Sequence, residues 1–247
     1  MDRMIYVAMS GAKQMMQQQA AVSNNLANVA TTGFRAQVSA FRAAETQGDG
    51  AATRAFVVDS TAVPDFNPGP IQQTGRDLDV AIEGAGWIAV QMGDGSEGYT
   101  RNGSLQVNVN GVLQTRNGLS VLGDGGPISV PENTRITVGS DGTVSTVPNT
   151  NQATQVISIG RMKLVNPPEQ ALVRGDDGIF RVKPGVTVDA DPKVKVQGGA
   201  LEGSNVNVVE AMVSMISLAR QFDMHMKVLQ NADGNDRQAT QLLSMNR

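Results

Sequence analysis

The chain has 247 residues, with 23 acidic and 20 basic side chains for a net charge of −3. With no run of Lys or Arg, that balance argues against a non-specific nucleic-acid surface or a polybasic membrane patch. The chain has no cysteine, which excludes disulfides and thiolate metal or nucleophile sites, and aromatics at 4% argue against a base-stacking platform.

From the start, steps of three and four residues pick out Ile5, Ala8, Ala12, Met15, Gln19, Val22 and Leu26. That is the spacing of one helix seam turned toward a partner helix. Small residues at Ala8, Gly11 and Ala12 permit a close approach. The opening Met1-Asp2-Arg3-Met4-Ile5-Tyr6 lacks the apolar run of a signal peptide, and Gln14 and Gln17-Gln18-Gln19 interrupt any membrane span. If the protein leaves the cytoplasm, the expected route removes no such leader.

The helix runs into Ser23-Asn24-Asn25-Leu26-Ala27-Asn28-Val29-Ala30-Thr31-Thr32-Gly33-Phe34-Arg35. Its Asn and Thr side chains can satisfy backbone groups locally, and Gly33 can take a positive φ. Residues 36–77 show weak periodicity, with a turn at Gly48-Asp49-Gly50 and prolines at 64, 68 and 70. They read as a largely extended connector, with one or two short strands near Arg54–Val58.

Residues 78–200 carry β signals. Leu78, Val80 and Ile82 alternate, as do Leu105, Val107 and Val109, and turn dipeptides recur at Asn102-Gly103, Asn110-Gly111, Asn117-Gly118 and Asp141-Gly142. Further short strands are expected near Leu119–Leu122, Ile136–Val138, Thr143–Val147, Val156–Ile159, Ile179–Val182, Val186–Val188 and Val194–Val196. A barrel, a sandwich or a more complex β fold all fit.

The last forty-odd residues organise the rest. Val208, Met212, Met215, Ala219, Phe222, Met226 and Leu229 form a second 3.5-residue seam, with Asn207 as N-cap and Glu210 as a capping-box carboxylate. The seam lapses at Asp233-Gly234-Asn235-Asp236 and resumes at Ala239, Leu242 and Leu243. The fold class is therefore α+β: paired N- and C-terminal helices, coiled-coil-like, plus a central mostly-β domain of short antiparallel strands. The domains are 1–35 with 201–247, the connector 36–77, and the β domain 78–200.

No chemistry-bearing constellation emerges. Gly84-Ala85-Gly86-Trp87-Ile88-Ala89 formally fits a dinucleotide fingerprint, but strand-like residues follow where a helix is required, so it reads as a hairpin turn. Asp189-Ala190-Asp191 lacks the glycine and glutamate of a calcium loop and reads as a solvated turn. His225, the single histidine, has no second imidazole or thiol for zinc and reads as a helix-surface residue. No catalytic residue, cofactor or metal is expected.

Four stretches resemble the bacterial flagellar rod and hook protein family. They are Ser23 to Phe34, Gly84-Ala85-Gly86-Trp87-Ile88-Ala89-Val90, Tyr99-Thr100-Arg101-Asn102-Gly103-Ser104-Leu105, and Leu201 to Glu210, in the family's order. Within it, the opening Met1 to Ala12 is more similar to the proximal-rod members than to the distal-rod one. The resemblance implies a structural subunit exported through the flagellar type III apparatus without a cleaved leader. Its terminal helices would join the inner tube of the rod across the periplasm, transmitting torque to the hook. Partners would be other proximal-rod proteins and the distal-rod protein, with no nucleic acid and no membrane insertion.

The candidate assembly interface is then Ile5, Ala8, Ala12, Met15, Val22, Leu26, Asn24, Asn25, Asn28, Gly33, Phe34, Val208, Met212, Met215, Ala219, Phe222, Met226 and Leu229. The alternatives are a distal-rod paralogue or, in another class, a β domain on a helical stalk that binds glycan or another ligand. An enzyme lacks candidate residues.

Overall fold

Long helices stand at the two ends of the chain, α1 (Asp2–Ala27) and α2 (Val208–Ser244), with only strands and one short 3-10 turn described between them. The structure, a computed structural model, describes residues 2–45, 55–148 and 156–244. It divides into two units: unit 1 holds 1–28, 36–65 and 206–247, and unit 2 holds 29–35 and 66–205.

In unit 1 the two helices run antiparallel. Gly11 of α1 faces His225 of α2, and Gln18, Ala21 and Val22 line one cleft with Val213, Ser214 and Leu218. A Cβ added at Gly11 would stand 2.7 Å from the imidazole Cε1, so glycine is what lets the ring in. His225, half-buried on the surface of α2, is therefore turned toward α1.

Helix α1 buries Ala8 and Ala12, as its spacing predicts. Helix α2 buries Ala211, Leu218 and Ala232, and Val208, Met212 and Met226 are exposed. The seam read from Val208 is thus rotated from the buried one, which shares its 3.5-residue rhythm but starts at Ala211. The reason is that α2 is apolar on more than one side, so periodicity alone does not choose the face. Asn207 caps α2 as expected, its Oδ1 accepting from the Val209 and Glu210 N–H groups at 3.1 and 3.3 Å. The expected lapse at Asp233–Asp236 does not break the helix, where Arg237 pairs with Asp233 one turn back.

Unit 1 also contains a long hairpin, β1 (Gln37–Glu45) and β2 (Ala55–Pro64), antiparallel with Gln37 opposite Pro64. The register shifts between Ser39 and Phe41, a β-bulge. The turn expected at Gly48-Asp49-Gly50 lies outside the described residues.

Unit 2 is built from short strands. In chain order they are β3 (Ile71–Gln73), β4 (Val80–Glu83), β5 (Trp87–Gln91), β6 (Glu97–Thr100), β7 (Leu105–Val107), β8 (Leu113–Thr115), β9 (Ser120–Gly123) and β10 (Gly126–Pro127). There follow β11 (Thr134–Val138), β12 (Thr143–Pro148), β13 (Ile157–Arg161), β14 (Leu164–Val165), β15 (Leu172–Arg174), β16 (Phe180–Val182), β17 (Lys195–Gly198) and β18 (Ala200–Glu202). The main sheet has nine strands, with β15-β16-β6-β5-β9-β8-β7 in a row, β10 beside β9 and β14 beside β5. Strands β11-β12-β13 make a second sheet, and the pairs β17-β4 and β18-β3 complete the unit. Every pairing is antiparallel.

Strand β5 separates two cores. Ile88 and Val90 join Val80, Leu105, Leu113, Val121 and Leu164 on one side, whereas Trp87 and Ala89 meet Tyr99, Val165, Leu172 and Phe180 on the other. The period of two along a strand buried on both faces yields this split. Gly84 and Gly86 take φ of 76° and 136°, and a strand follows them, as the reading against a dinucleotide site requires. They do not close a hairpin, however, because β4 pairs with β17 while β5 pairs with β6 and β9. Val186–Val188, expected as a strand, is an irregular segment with Val186 exposed and no partner strand among the described residues.

Tyr99 lies in the second core, where burial, reinforced by the Glu97 carboxylate, raises its phenol from 10.0 to about 12. A raised folded-state value makes this contribution whole below pH 10 and progressively lost as pH climbs through about 12. Ultraviolet tyrosinate absorbance of a Tyr6→Phe chain should therefore show its one remaining phenol ionising late, together with unfolding of unit 2. Ionisation of Tyr99 at its ordinary value in the folded chain would contradict this.

Candidate functional site

The signature following α1 serves both units. In unit 1, the Asn25 amide pairs with both backbone groups of Gln37, donating to its carbonyl at 2.9 Å and accepting from its N–H at 2.8 Å. A side-chain amide has the same donor and acceptor as a peptide, so Asn25 stands in for a strand neighbour at the start of β1. Asn28 donates from Nδ2 to the Asn24 carbonyl at 2.9 Å and closes the end of α1, while Asn24 itself is exposed.

Residues 29–35 belong to unit 2, and their contacts explain why. Thr32 donates to the Asn102 side chain at 2.9 Å. Gly33 donates to the Glu202 carbonyl at 2.8 Å with φ of 68°, and a Cβ there would lie 2.4 Å from the Arg101 carbonyl carbon. Phe34 is buried beneath Arg174, whose guanidinium lies 4.4 Å from the ring centre and donates to the Arg35 carbonyl at 3.1 Å. Burial pulls the Arg174 guanidinium below its ordinary value.

At the centre is a buried ionic clasp. Glu202 Oε1 lies 2.7 Å from Arg35 Nη1, and Oε2 accepts from Arg101 Nη1 at 2.8 Å; the three side chains are 1%, 0% and 4% exposed. Oε1 also accepts from the Gly69 N–H at 2.9 Å, and Arg101 donates to the Gly84 carbonyl at 2.7 Å while its guanidinium sits 5.4 Å from the Trp87 ring centre. Burial draws the Arg101 guanidinium down, Glu202 opposes that, and the like charge of Arg35 adds to it. Among the described residues, Arg35 Nε and Nη2 find no hydrogen-bond acceptor. One carboxylate thus holds two buried cations, and it ties the residues after α1 to those before α2 and to the Gly84 turn. Sequence reasoning missed Arg35, Arg101, Arg174 and Glu202. The available signal was a charge inside each of three otherwise uncharged motifs, Thr32-Gly33-Phe34-Arg35, Thr100-Arg101-Asn102-Gly103 and Leu201-Glu202-Gly203.

The remaining candidates lie on the two helices of unit 1. Ile5, Met15, Val22 and Leu26 of α1 and Met215, Ala219, Phe222 and Leu229 of α2 are half-buried, beside buried Ala8 and Ala12. Outside that set, Tyr6, Met9 and Met16 of α1 and Val209, Met212, Val213 and Ile216 of α2 form exposed apolar patches. The described residues hold no cluster of side chains suited to a metal, and none of their helices is long and apolar enough to cross a membrane. Asp191, read as part of a solvated turn, accepts from the Lys193 N–H at an exposed turn.

Comparison with known proteins follows the same map. Family models for the flagellar basal body rod protein, the flagellar hook protein FlgE/F/G D1 domain and the flagellar basal body rod FlgEFG protein C-terminal match residues 5–35, 81–146 and 197–242. The flagellar basal-body rod protein FlgF of Escherichia coli is 49% identical across 99% of this chain and 100% of its own length. The chain belongs to the flagellar basal-body rod protein family. FlgF of Salmonella typhimurium is 47% identical over the same shares, whereas FlgG of Buchnera aphidicola is 31% identical over 86% of this chain and 88% of its own. The similarity read from Met1 to Ala12 thus extends along the whole chain, and the protein is a structural rod subunit, not an enzyme.

Proposed function

We propose that this protein is a proximal-rod subunit whose terminal helices enter the axial tube of the flagellar rod as a coiled-coil-like pair. The observation that carries this reading is the apolar surface left open on both helices of unit 1, at Tyr6, Met9 and Met16 and at Val209, Met212, Val213 and Ile216. Each large apolar side chain fully buried against a neighbour contributes about 1.5–3 kcal/mol, so a few per subunit suffice to drive stacking. The same patch cannot meet itself around a tube, so the contacts are heterologous and repeat helically without closing. The assembly interface is the set from Ile5 to Leu26 and from Val208 to Leu229, together with Asn24, Asn25, Asn28, Gly33 and Phe34.

In this reading residues 1–35 and 201–247 form the rod core, 36–77 the connector and 78–200 an outer layer. The partners are other proximal-rod proteins, a FlgG-type distal-rod protein, and the flagellar type III apparatus during export. The assembled rod spans the periplasm and carries torque from motor to hook.

A Leu229→Asp chain tests it. The variant should be absent from purified basal bodies and its strain non-motile, while Trp87 emission, which reports unit 2, stays that of the parent. Normal motility would sink the proposal.

A further inference from the structure

The chain has no thiol, so the sulfur open to oxidants is methionine sulfur, and the chain carries 12 methionines. Among the described residues their exposure differs, and Met15, Met92 and Met215 are half-buried. Met9, Met16, Met212, Met224 and Met226, all on the two helices of unit 1, are 38–58% exposed. Met162, in the first core of unit 2, is 1% exposed. Met9 and Met16 share one stripe of α1 with Tyr6, and Met212 stands among Val209, Val213 and Ile216.

We propose that these five methionines are a sulfoxidation site that switches the unassembled subunit out of assembly. The oxidant class is a two-electron peroxide. The thioether sulfur gives a lone pair to one peroxide oxygen, the O–O bond breaks, and the other oxygen leaves as water after taking up the proton. The product is the sulfoxide, which methionine sulfoxide reductases return to the thioether. The change replaces a pliable apolar side chain with a strong hydrogen-bond acceptor on surfaces that assembly would bury. Met162 is shielded and Met92 is half-buried, so oxidation falls first on the exposed helix surfaces, which lose their apolar character. A subunit already in a rod has these sulfurs covered, so only the free pool is exposed to the switch. The effect on assembly rests on the rod-subunit reading above, whereas the oxidation pattern rests on exposure alone.

Competition inside cells tests both parts. The parent chain and a chain with Met9→Leu, Met16→Leu, Met212→Leu, Met224→Leu and Met226→Leu are expressed at equal levels in motile cells lacking methionine sulfoxide reductases. Hydrogen peroxide is given as a brief sublethal pulse while new rods are built, and the two chains are counted by mass spectrometry in purified basal bodies. The ratio in which the two chains enter rods without peroxide is the baseline. After the pulse the leucine chain should be enriched about fivefold or more, the scale of one unmatched buried acceptor. Sulfoxide at the five positions should concentrate in the free parent chain, with Met162 reduced. An unchanged ratio, or sulfoxide equally abundant in rods and free pool, overturns the proposal. If the leucine chain fails to enter rods even without peroxide, the partition of sulfoxide in the parent chain decides alone. Absence of the parent chain from unstressed basal bodies would instead sink the rod-subunit reading.

Discussion

Replacing Glu202 with Gln should destabilise unit 2 by about 3–5 kcal/mol, the usual cost of removing one partner from a buried ion pair. Glutamine keeps the shape and one acceptor for the Gly69 N–H, yet it leaves the Arg35 and Arg101 guanidinium groups facing each other in a buried site without a counter-charge. The measurement is urea unfolding followed by Trp87, which touches the clasp through Arg101. The midpoint should fall steeply in Glu202→Gln. It should recover in part when Arg35→Met is added, because the second change removes one of the stranded charges. A midpoint equal to the parent's would mean that the pairs contribute nothing net, and non-recovery in the double variant would mean that Arg35 is held by other contacts.

Gly33→Val should cost a comparable amount for a different reason. A branched residue at φ of 68° is strained by about 1–3 kcal/mol. Its Cβ would also need the space of the Arg101 carbonyl, 2.4 Å away, where backbone and not a movable side chain stands in the way. The loop must retreat, taking with it the Gly33 bond to the Glu202 carbonyl and the seat of Phe34. In the same urea assay Gly33→Ala should already be strongly destabilised, since the clash begins at Cβ. A mild Gly33→Ala would show that the loop can move aside.

How much of this could be read from residues alone depends on the distance over which each signal acts. The helix at Asp2–Ala27 was legible because Ala8 and Ala12 repeat within two turns and the seam needs no knowledge of the rest. The far helix was legible as a helix but not in its facing, because Val208, Met212 and Met226 are as apolar as the residues that are buried. Strands with a partner nearby in sequence, such as β11 and β12, announced themselves through alternation and the Asp141-Gly142 turn. Val186–Val188 carries the same local pattern and is irregular, with no strand paired to it among the described residues. The signature Ser23–Phe34 was legible as special but not in its roles, since Asn25 answers to Gln37 and Gly33 to Arg101 and Glu202. The clasp was hidden altogether: three charged residues look like surface until the fold brings them together.

That clasp also bears on how fast unit 2 can form. The Arg101 and Gly69 bonds to Glu202 close loops of 101 and 133 residues. Contacts so remote in sequence must wait for a long chain to find its own end, and proteins dominated by them fold in milliseconds to seconds, not microseconds. A nascent copy that has not yet supplied Glu202 cannot finish this closure.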